Sequence, residues 1–377
     1  MDNREKIRIF VDAHTFDNEF QGSRTYINEM YILLAQREAL QLYIGAYDIA
    51  KLAKYFPGVN TIHFVKFKSR SAFTRLLFDI PAIIKKYRIQ YAHFNYIVPL
   101  FKNCKYIVTI HDVIFKEYPQ EFSFGYRVSK KLLYKRAAVK ADILTTNSLY
   151  SKRSIQKYLG IREEKINIIS NAVNDRYFGS HDKTAVRKTF QARYGFDKFI
   201  LYVSRIEPRK NHALLLQTYL DLKLHLQGYH LVLVGHESIK TPAFAKIIDH
   251  LPANIKPFLF IRTDVPEDEL LLFYRAATVF VYPSKAEGFG IPPLEAAATK
   301  TPVLCSNTSA MGEFDFFGNN HVDPADTVLF KTRLSALLTT QLDDQLLNSL
   351  AEVIHQRYSW KESADKLYAL IEKDHYK

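Results

Sequence analysis

The sequence has very little cysteine and no long apolar segment. Only Cys104 and Cys305 occur among 377 residues, which excludes a disulfide framework or a cysteine-rich zinc site and favours a reducing compartment. No run of 18 or more apolar residues occurs, so we expect no membrane-spanning helix. The polar first residues lead straight into an apolar run at residues 7–11, without the features of a signal peptide. We therefore expect a cytoplasmic protein.

An excess of basic over acidic residues is confined to one half of the chain. Residues 1–180 carry 29 Lys/Arg and 16 Asp/Glu, whereas the remaining residues carry 23 of each, so the first half holds the whole net charge of +13. This asymmetry predicts an anionic partner for the first half: a membrane surface, an anionic acceptor or a nucleic acid. No recognition helix or RNA-binding motif accompanies the charge, which argues against nucleic acid.

Two basic stretches contribute to this excess. In residues 66–75, four basic side chains are interleaved with Phe67 and Phe73. This stretch and the second one described next are each either an ordinary solvated face or a surface that attaches to anionic lipid. In the latter case each basic side chain would add roughly 1 kcal/mol to the free energy of membrane binding. The second stretch, residues 127–136, is predicted as a helix with one basic face made of Arg127, Lys130, Lys131 and Lys135.

Short apolar runs alternate with helical patterns in both halves, which predicts an α/β fold with one parallel sheet per half. Helical periodicity covers residues 211–226 and 267–277, and Ser359 with Glu362 forms a capping box that begins a final helix. The polar residues 179–195 are the predicted seam. The strand candidates are residues 7–11, 42–46, 61–67, 91–95, 106–110, 143–146 and 166–169, then 200–203, 230–234, 258–261, 279–282 and 303–305.

The most distinctive motif lies at residues 284–297, where two glutamates bracket a glycine turn and a Pro-Pro pair. Gly288 and Gly290 allow a tight turn and a close approach of the backbone to a ligand. Proline is tolerated in the first helical turn, and the start of a helix favours an anion or a polar ligand oxygen. Glu287 stands in the loop, and Glu295 lies about one turn into the helix.

An isolated pair of glutamates is more often two solvated charges, but here the flanking residues make the motif specific. The run Glu-Gly-Phe-Gly-Ile-Pro-Pro-Leu-Glu-Ala resembles the E-x7-E signature of retaining glycosyltransferases, family 4 in particular. The resemblance implies a GT-B architecture, in which two Rossmann-like domains face each other across a cleft. The expected domains are residues 1–178 for the acceptor, residues 196–358 for the nucleotide-sugar donor, and a helix at residues 359–377 that packs back on the first domain.

The resemblance also implies roles within this motif. Glu287 and the amides of Gly288–Gly290 would hold the hexose hydroxyls, and Glu295 would hold the ribose hydroxyls. Phe289 and Ile291 are counted with the donor-binding residues.

Basic residues follow the strand at residues 200–203. Arginine can bind a diphosphate in a fork and lysine adds a point charge, although such a loop can also be merely solvated. The run resembles the family's Arg…Lys pair, which implies that Arg205 and Lys210 hold the donor diphosphate. The resemblance implies no role for Arg209, and one alternative is that its side chain simply faces solvent.

Other strand ends resemble further parts of the family's site. A His-Asp loop after residues 106–110 implies that His111 contacts the sugar or acceptor, and that Asp112 either orients His111 or contacts the acceptor. The loop at residues 21–26 keeps Gly22 but departs from the family's Gly-x-Gly-Arg-Tyr pattern, which weakens its implied contact with donor phosphate. Gly235 would allow close approach of the nucleotide, and the backbone near Arg262 and Val265 would read the base.

The implied reaction is transfer of a hexose from a nucleotide diphosphate-sugar to a hydroxyl of a glycan or lipid-linked glycan, with retention of the anomeric configuration. No Asp-x-Asp triplet is present to hold a divalent ion, so Arg205, Lys210 and helix N-termini would neutralise the diphosphate without metal or other cofactor. The His-Asp loop and glycine motif most resemble mannosyltransferases of bacterial polysaccharide assembly, which favours GDP-mannose over UDP-hexoses. A non-catalytic protein that binds sugar nucleotides is the remaining alternative.

Overall fold

The computed structural model describes residues 5–17, 22–263, 265–340 and 342–377. The chain folds as two compact units. The first comprises Met1–Ala172 together with Ser359–Lys377, and the second comprises Val173–Tyr358.

The first unit is built on a seven-stranded parallel sheet with the order β3-β2-β1-β4-β5-β6-β7. Its central strands are apolar and buried, as expected for a parallel sheet that is covered on both faces. The strands are β1 (Ile7–Asp12), β2 (Leu40–Ala46), β3 (Ile62–Lys66), β4 (Tyr91–Asn95), β5 (Lys105–Thr109), β6 (Ile143–Thr146) and β7 (Ile166–Ile168).

Helices connect these strands, and several begin at side-chain caps. The Ser123 side chain accepts a hydrogen bond from the Tyr126 amide, and the Ser148 side chain accepts one from the Ser151 amide. The helices are α1 (Gly22–Leu34), α2 (Ile49–Ala53), α3 (Ala72–Thr74), α4 (Ile80–Tyr87), α5 (Ile114–Glu117), α6 (Phe124–Lys140) and α7 (Leu149–Leu159). A π-helical turn at Arg75–Asp79 joins α3 to α4.

The second unit is built on a six-stranded parallel sheet with the order β10-β9-β8-β11-β12-β13. The strands are β8 (Phe199–Val203), β9 (His230–Val234), β10 (Leu259–Arg262), β11 (Val279–Tyr282), β12 (Val303–Ser306) and β13 (His321–Val322). The helices are α8 (Lys183–Tyr194), α9 (His212–Asp221), α10 (Pro242–Asp249), α11 (Glu267–Ala276), α12 (Ile291–Ala298), α13 (Thr327–Thr339) and α14 (Asp344–Arg357).

The last helix, α15 (Trp360–His375), belongs to the first unit and packs against α1. Ser359 caps it by accepting a hydrogen bond from the Glu362 amide. Trp360 is buried and lies edge-on to the Tyr26 ring. The apolar face of the helix is thus sealed by the first unit, although its sequence follows the second.

The two units divide earlier in the chain than the sequence suggested. The first unit ends at Ala172 rather than at residue 178, because Val173 and Tyr177 are buried in the core of the second unit. The predicted seam at residues 179–195 is not a linker, since α8 occupies most of it. Asp182 caps that helix, and Phe190 lies among aromatic rings of the second core.

Candidate functional site

The second sheet has a topological switch point at β8, where successive strands begin to be added on the opposite side. We call the space outside the carboxyl ends of the strands at this point the crevice. The chain leaves β8 towards β9 on one side and later places β11 on the other side of β8. In open α/β sheets, ligands bind outside the carboxyl ends of the strands at this kind of switch point. Arg205 and Lys210 follow β8, and Glu287 follows β11. The predicted diphosphate-binding residues and the predicted hexose-binding glutamate therefore meet at this point.

The loop after β8 brings its charged residues inward. Pro208–Lys210 forms a 3-10 turn, and Asn211 adopts a left-handed conformation with φ of 59° before α9 begins. Glu207, Arg209 and Lys210 are buried, whereas the Arg205 side chain is 40% exposed. The possibility that Arg209 faces solvent is therefore wrong: its guanidinium points into the protein and not into water.

Five charged residues form a ladder in which the signs alternate. Glu207 accepts from Arg205 at 3.1 Å and from Arg209 at 2.8 Å. Glu287 accepts from Arg209 at 3.1 Å and from Lys210 at 2.5 Å. Two buried carboxylates are thus shared among three cations, which leaves one net positive charge at the crevice.

Burial and neighbouring charges act in opposite directions on this ladder. Burial raises the pKa of Glu287, but the charges of Lys210 and Arg209 outweigh it and bring the pKa to about 2. Burial lowers the pKa of Lys210 to about 8, even though Glu287 favours the charged form. Glu287 is therefore ionised at neutral pH, and Lys210 begins to lose its proton just above it.

The loop between β11 and α12 presents backbone amides. In the described part of the chain, the amides of Phe289, Gly290 and Ile291 donate to no protein acceptor, whereas the Glu287 amide donates to Ser309 Oγ at 2.8 Å. Pro292 and Pro293 follow and carry no N–H, so the donors come from the loop and from Ile291, the first residue of α12. These amides suit a polar ligand oxygen.

The shape of this loop requires glycine at position 290. Gly290 has φ of 103°, and a Cβ there would lie 2.9 Å from Met311 Cγ. The Phe289 side chain is buried edge-on to Phe314 and Tyr358, so it packs in the core of the second unit. Gly288 is buried between Glu287 and this ring.

Glu295 lies on α12, and the structure shows it paired with tyrosine. It is partly buried and accepts a hydrogen bond from the Tyr274 hydroxyl at 2.8 Å. Burial raises its pKa to about 7, against the hydrogen bonds from Tyr274 and Tyr177 and the charge of Arg176. Near neutral pH this carboxyl can therefore either accept or donate a hydrogen bond.

The predicted nucleotide-binding positions lie at the ends of β9 and β10. The Gly235 amide donates to the Arg262 carbonyl at 2.8 Å, and its φ is 145°. A Cβ at Gly235 would lie 2.0 Å from the Ser204 carbonyl oxygen, which no rotamer can relieve. The Arg262 side chain is 40% exposed and Val265 is partly buried. Asp264, between them in the predicted loop, lies outside the described residues.

His111 follows β5 in the first unit and is held by its surroundings. Its Nε2 lies 3.0 Å from Asn95 Oδ1, and its ring is edge-on to Tyr26 and Tyr96. Burial lowers its pKa to about 4, so the ring is neutral at physiological pH. Tyr96 has φ of 66°, a backbone conformation that bulky residues rarely adopt and that is enriched at active sites.

Asp112 and Gly22 have less specific surroundings. Asp112 accepts from the Ile114 amide at 3.2 Å and so helps to start α5. Gly22 begins α1 with open space around it and without a positive φ. Local packing therefore does not require glycine there. Gln21, which opens the predicted loop, lies outside the described residues.

An ionic cluster that was not predicted from the sequence lies at the end of β1. Buried Asp12 lies 3.0 Å from His14 Nδ1 and 3.2 Å from Arg75 Nε. Burial raises the pKa of Asp12, but His14 and Arg75 together outweigh burial and hold the pKa below its usual value. Like Asn95 and His111, this cluster lies at a carboxyl end of the first sheet, beside the switch between β1 and β4. The sequence signal for this cluster was the presence of Asp12 and His14 just after the apolar run at residues 7–11.

The two basic stretches have different structures. The stretch at residues 66–75 is not one surface, because Phe67 packs against Phe10 in the core and Arg75 pairs with Asp12. Helix α6, by contrast, carries six basic and no acidic residues, and most of it is exposed. Phe124, Val128 and Leu132, spaced four apart on α6, are 74%, 42% and 65% exposed. No described helix is long and apolar enough to cross a bilayer.

Family models match almost the whole chain in two segments. Residues 21–177 match Glycosyltransferase Family 4, and residues 186–366 match Glycosyl transferases group 1. Curated relatives are the O-antigen chain mannosyltransferase RfbU of Salmonella typhimurium, 29% identical over 62% of this chain and 60% of that protein, and O-antigen chain mannosyltransferase B of Escherichia coli, 25% identical over 65% and 63%. The aligned part thus spans less than two thirds of either relative.

Solved structures cover the chain more completely. A glycosyltransferase from Rickettsia africae superposes with a TM-score of 0.74 at 20% identity, over 98% of both chains. HepE of Anabaena, solved in complex with UDP and glucose, superposes with a TM-score of 0.73 at 13% identity, over 97% of this chain and 100% of that one. At these identities the likeness establishes the fold. With the two family matches, it assigns this chain to the GT-B glycosyltransferases, with a family 4 domain followed by a group 1 domain.

Proposed function

We propose that this protein transfers a hexose from a nucleotide diphosphate-sugar to a hydroxyl of a glycan or lipid-linked glycan, with retention of the anomeric configuration. The observation that carries the proposal is the largely buried ladder of Arg205, Glu207, Arg209, Glu287 and Lys210, beside three backbone amides that have no acceptor among the described residues. A net positive crevice at a switch point suits a diphosphate, and carboxylates with amides suit sugar hydroxyls.

Each side chain at the crevice has a proposed task. Arg205 and Lys210 stabilise the leaving diphosphate, whose charge grows in the transition state. Glu287 and the amides of Gly288–Gly290 hold the hexose hydroxyls. Glu295 holds the ribose hydroxyls, as its pKa of about 7 lets it serve as donor or acceptor.

The remaining proposed contacts bind the nucleotide of the donor and the acceptor. The backbone at Gly235, Arg262 and Val265 faces the nucleotide, and Gly22 belongs with the donor-binding positions. In the first unit, neutral His111 and the neighbouring Asp112 face the acceptor. A neutral imidazole suits this task because it can bind a hydroxyl without adding charge.

GDP-mannose is the proposed donor. The mannosyltransferase names of the curated relatives support it, while the UDP and glucose bound by HepE keep UDP-hexoses as the alternative. A thermal-shift screen with GDP, UDP, GDP-mannose and UDP-glucose separates the two. Stabilisation by the guanine pair alone supports the proposed donor, stabilisation by the uracil pair alone supports the alternative, and no shift with any nucleotide contradicts the proposed function.

The proposed chemistry needs neither a protein nucleophile nor a metal. Three cations at the crevice supply the positive charge, and the donor phosphate assists front-face attack by the acceptor hydroxyl. NMR of the product should report the same anomeric configuration as in the donor, and turnover should persist in EDTA. An inverted product would contradict the retaining mechanism. Loss of turnover in EDTA that added Mg²⁺ restores would contradict metal independence.

A non-catalytic protein that binds sugar nucleotides is the rival reading. It predicts binding without turnover. Release of nucleoside diphosphate that depends on added acceptor distinguishes the enzyme from that rival, whereas donor binding with no release of nucleoside diphosphate, with or without acceptor, would favour the rival.

We propose further that the protein is cytoplasmic and attaches peripherally to the inner face of the membrane through α6. The exposed Phe124, Val128 and Leu132 lie on the helix that carries Lys131 and Lys135, which combines an apolar stripe with positive charge. Such a face suits anionic lipid, to which each basic side chain adds roughly 1 kcal/mol. A lipid-linked acceptor would lie on the same surface.

Co-sedimentation with vesicles tests the attachment. The protein should pellet with phosphatidylglycerol-containing vesicles and not with neutral phosphatidylcholine, and Lys131→Glu/Lys135→Glu should abolish the preference. Lys188→Glu/Lys246→Glu, a matched change at exposed lysines of the second unit, should keep it. Equal binding to both vesicle types, or loss of the preference in both variants, would overturn the proposed surface.

A further inference from the structure

Arg209 makes contacts that neither neighbouring cation makes. Its Nη2 lies 2.8 Å from Glu207 Oε2, and its Nη1 lies 3.1 Å from Glu287 Oε2. The same Nη1 donates to the Ala286 carbonyl at 2.7 Å. A planar guanidinium can join two carboxylates in this way, whereas a lysine ammonium cannot reproduce the fork.

The backbone of Arg209 ties the same two loops together. The Lys285 amide donates to the Arg209 carbonyl at 2.8 Å, and Ser284 Oγ lies 3.4 Å from that oxygen. The loop after β8 and the loop after β11 are therefore joined at this residue through both side chain and main chain. Each loop carries one half of the proposed donor site.

The two carboxylates that Arg209 joins have different proposed neighbours. Glu207 also holds Arg205, which faces the diphosphate, and accepts from Ser238 Oγ at 2.6 Å. Glu287 also holds Lys210 and accepts from the Tyr282 hydroxyl at 3.0 Å. Arg209 is the link in this chain of charges between the diphosphate end and the hexose end.

We infer that Arg209 is a positioning residue that fixes Glu287 relative to Arg205, so that hexose and diphosphate are held in one reactive geometry. The inference rests on the proposed function. Arg209 itself touches no substrate in this account, because both ends of its guanidinium are occupied by protein. A displacement of about 1 Å at a reacting group costs roughly 100-fold in rate, which is the effect that such a link prevents.

Arg209→Lys is the main test, because it keeps the charge and removes the fork. With GDP-mannose, or the UDP-hexose that the thermal-shift screen selects, we expect kcat to fall about 10- to 100-fold. The Kd of the free nucleoside diphosphate should change by less than about threefold, since Arg205 and Lys210 remain. Arg357→Lys, at an exposed arginine paired with Asp315 in the same unit, is the matched control and should leave both values unchanged.

A double-mutant cycle tests the link itself. If Glu207 and Arg209 act as one unit, Glu207→Gln/Arg209→Lys should lose little more kcat than the more damaging single variant. Independent roles would instead make the two losses multiply, which would overturn the inference.

The pKa of Lys210 supplies a readout that does not depend on turnover. The charge of Arg209 helps to lower this pKa, behind burial as the main cause. Arg209→Gln should therefore raise the pKa of Lys210 above about 8, as followed by NMR of labelled lysine, and Arg209→Lys should keep it lower than Arg209→Gln does. A simple packing defect would not separate the two variants in this way.

The outcomes of the inference and of the proposed function are distinct. A wild-type protein that binds no nucleotide overturns the proposed function, and the inference with it. A wild-type protein that binds and turns over donor, together with an Arg209→Lys variant of unchanged kcat, overturns only the inference. An Arg209→Lys variant that loses diphosphate affinity in proportion to kcat also overturns it, because Arg209 would then act at the phosphate.

Discussion

Glu287→Gln should destabilise the protein strongly while leaving in place the cations that we propose bind the diphosphate. The carboxylate accepts from Arg209, Lys210 and Tyr282, and it is buried. An amide keeps the shape but removes the charge and turns one acceptor into a donor. Removing one partner of a buried ion pair costs about 3–5 kcal/mol, because the other charges stay buried without compensation.

This magnitude is large for the second unit. A folded domain is stable by about 5–15 kcal/mol in total, so the variant should lose a large share. For a unit of this size, 3–5 kcal/mol corresponds to a fall of about 6–20 °C in Tm. Calorimetry or far-UV circular dichroism should follow the transition, because the only tryptophan, Trp360, belongs to the first unit and does not report on the second.

The same variant separates the two proposed halves of the site. Donor turnover should fall about 100- to 1,000-fold, as for loss of one preorganised electrostatic contact. Affinity for the free nucleoside diphosphate should fall much less than turnover, since Arg205 and Lys210 remain, although loss of Glu287 lowers the pKa of Lys210 further. Glu352→Gln, at an exposed glutamate on α14, is the control and should change none of these values. A loss of stability below about 1 kcal/mol, or a parallel loss of diphosphate affinity, would refute the reasoning.

Three further predictions follow from the packing and the titration of single residues. Gly235→Ala should lower both Tm and nucleotide affinity, because the new Cβ would lie 2.0 Å from the Ser204 carbonyl oxygen. Gly125→Ala, in open space within α6, should instead stabilise the first unit by about 0.5–1 kcal/mol. Equal effects of the two variants on thermal unfolding would contradict this prediction. Imidazole NMR should show His111 neutral at every pH above about 5, and a midpoint near 6.5 would mean that the ring is not buried as described. Trp360→Ala should cost the first unit about 3–5 kcal/mol in urea unfolding, and a cost below 1 kcal/mol would mean that α15 does not seal it.

The sequence predicted most of the strands because their apolar runs are continuous and bounded by polar residues. Four strands, Tyr91–Asn95, Ile143–Thr146, His230–Val234 and Val279–Tyr282, have the predicted bounds. The missed strand, His321–Val322, has two residues at a sheet edge and too little length for any periodicity. Helix α8 was missed although Asp182 before it and Gly195 after it are ordinary helix-end signals.

The site was predictable where a motif carries it and not where the fold creates it. Glu287 and Lys210 were found as motif members, but their 2.5 Å contact joins residues 77 positions apart. The burial of Arg209 depends on two carboxylates from different loops, and a linear reading cannot show that they meet. The role of Ser309 as acceptor for the Glu287 amide has no sequence signal either, because it rests on a left-handed backbone with φ of 55°.

Titration calorimetry with GDP-mannose and GDP tests the central claim that the crevice beside Glu287 is the donor site. We predict one binding site per chain, with affinity for both ligands weakened at least about tenfold by Arg205→Gln/Lys210→Gln and unaffected by Arg357→Lys. If only UDP and a UDP-hexose bind, and Arg205→Gln/Lys210→Gln weakens their binding in the same way, the crevice is the donor site but the donor is a UDP-hexose. Absence of binding by any nucleotide, or unchanged affinity in Arg205→Gln/Lys210→Gln, would contradict the account.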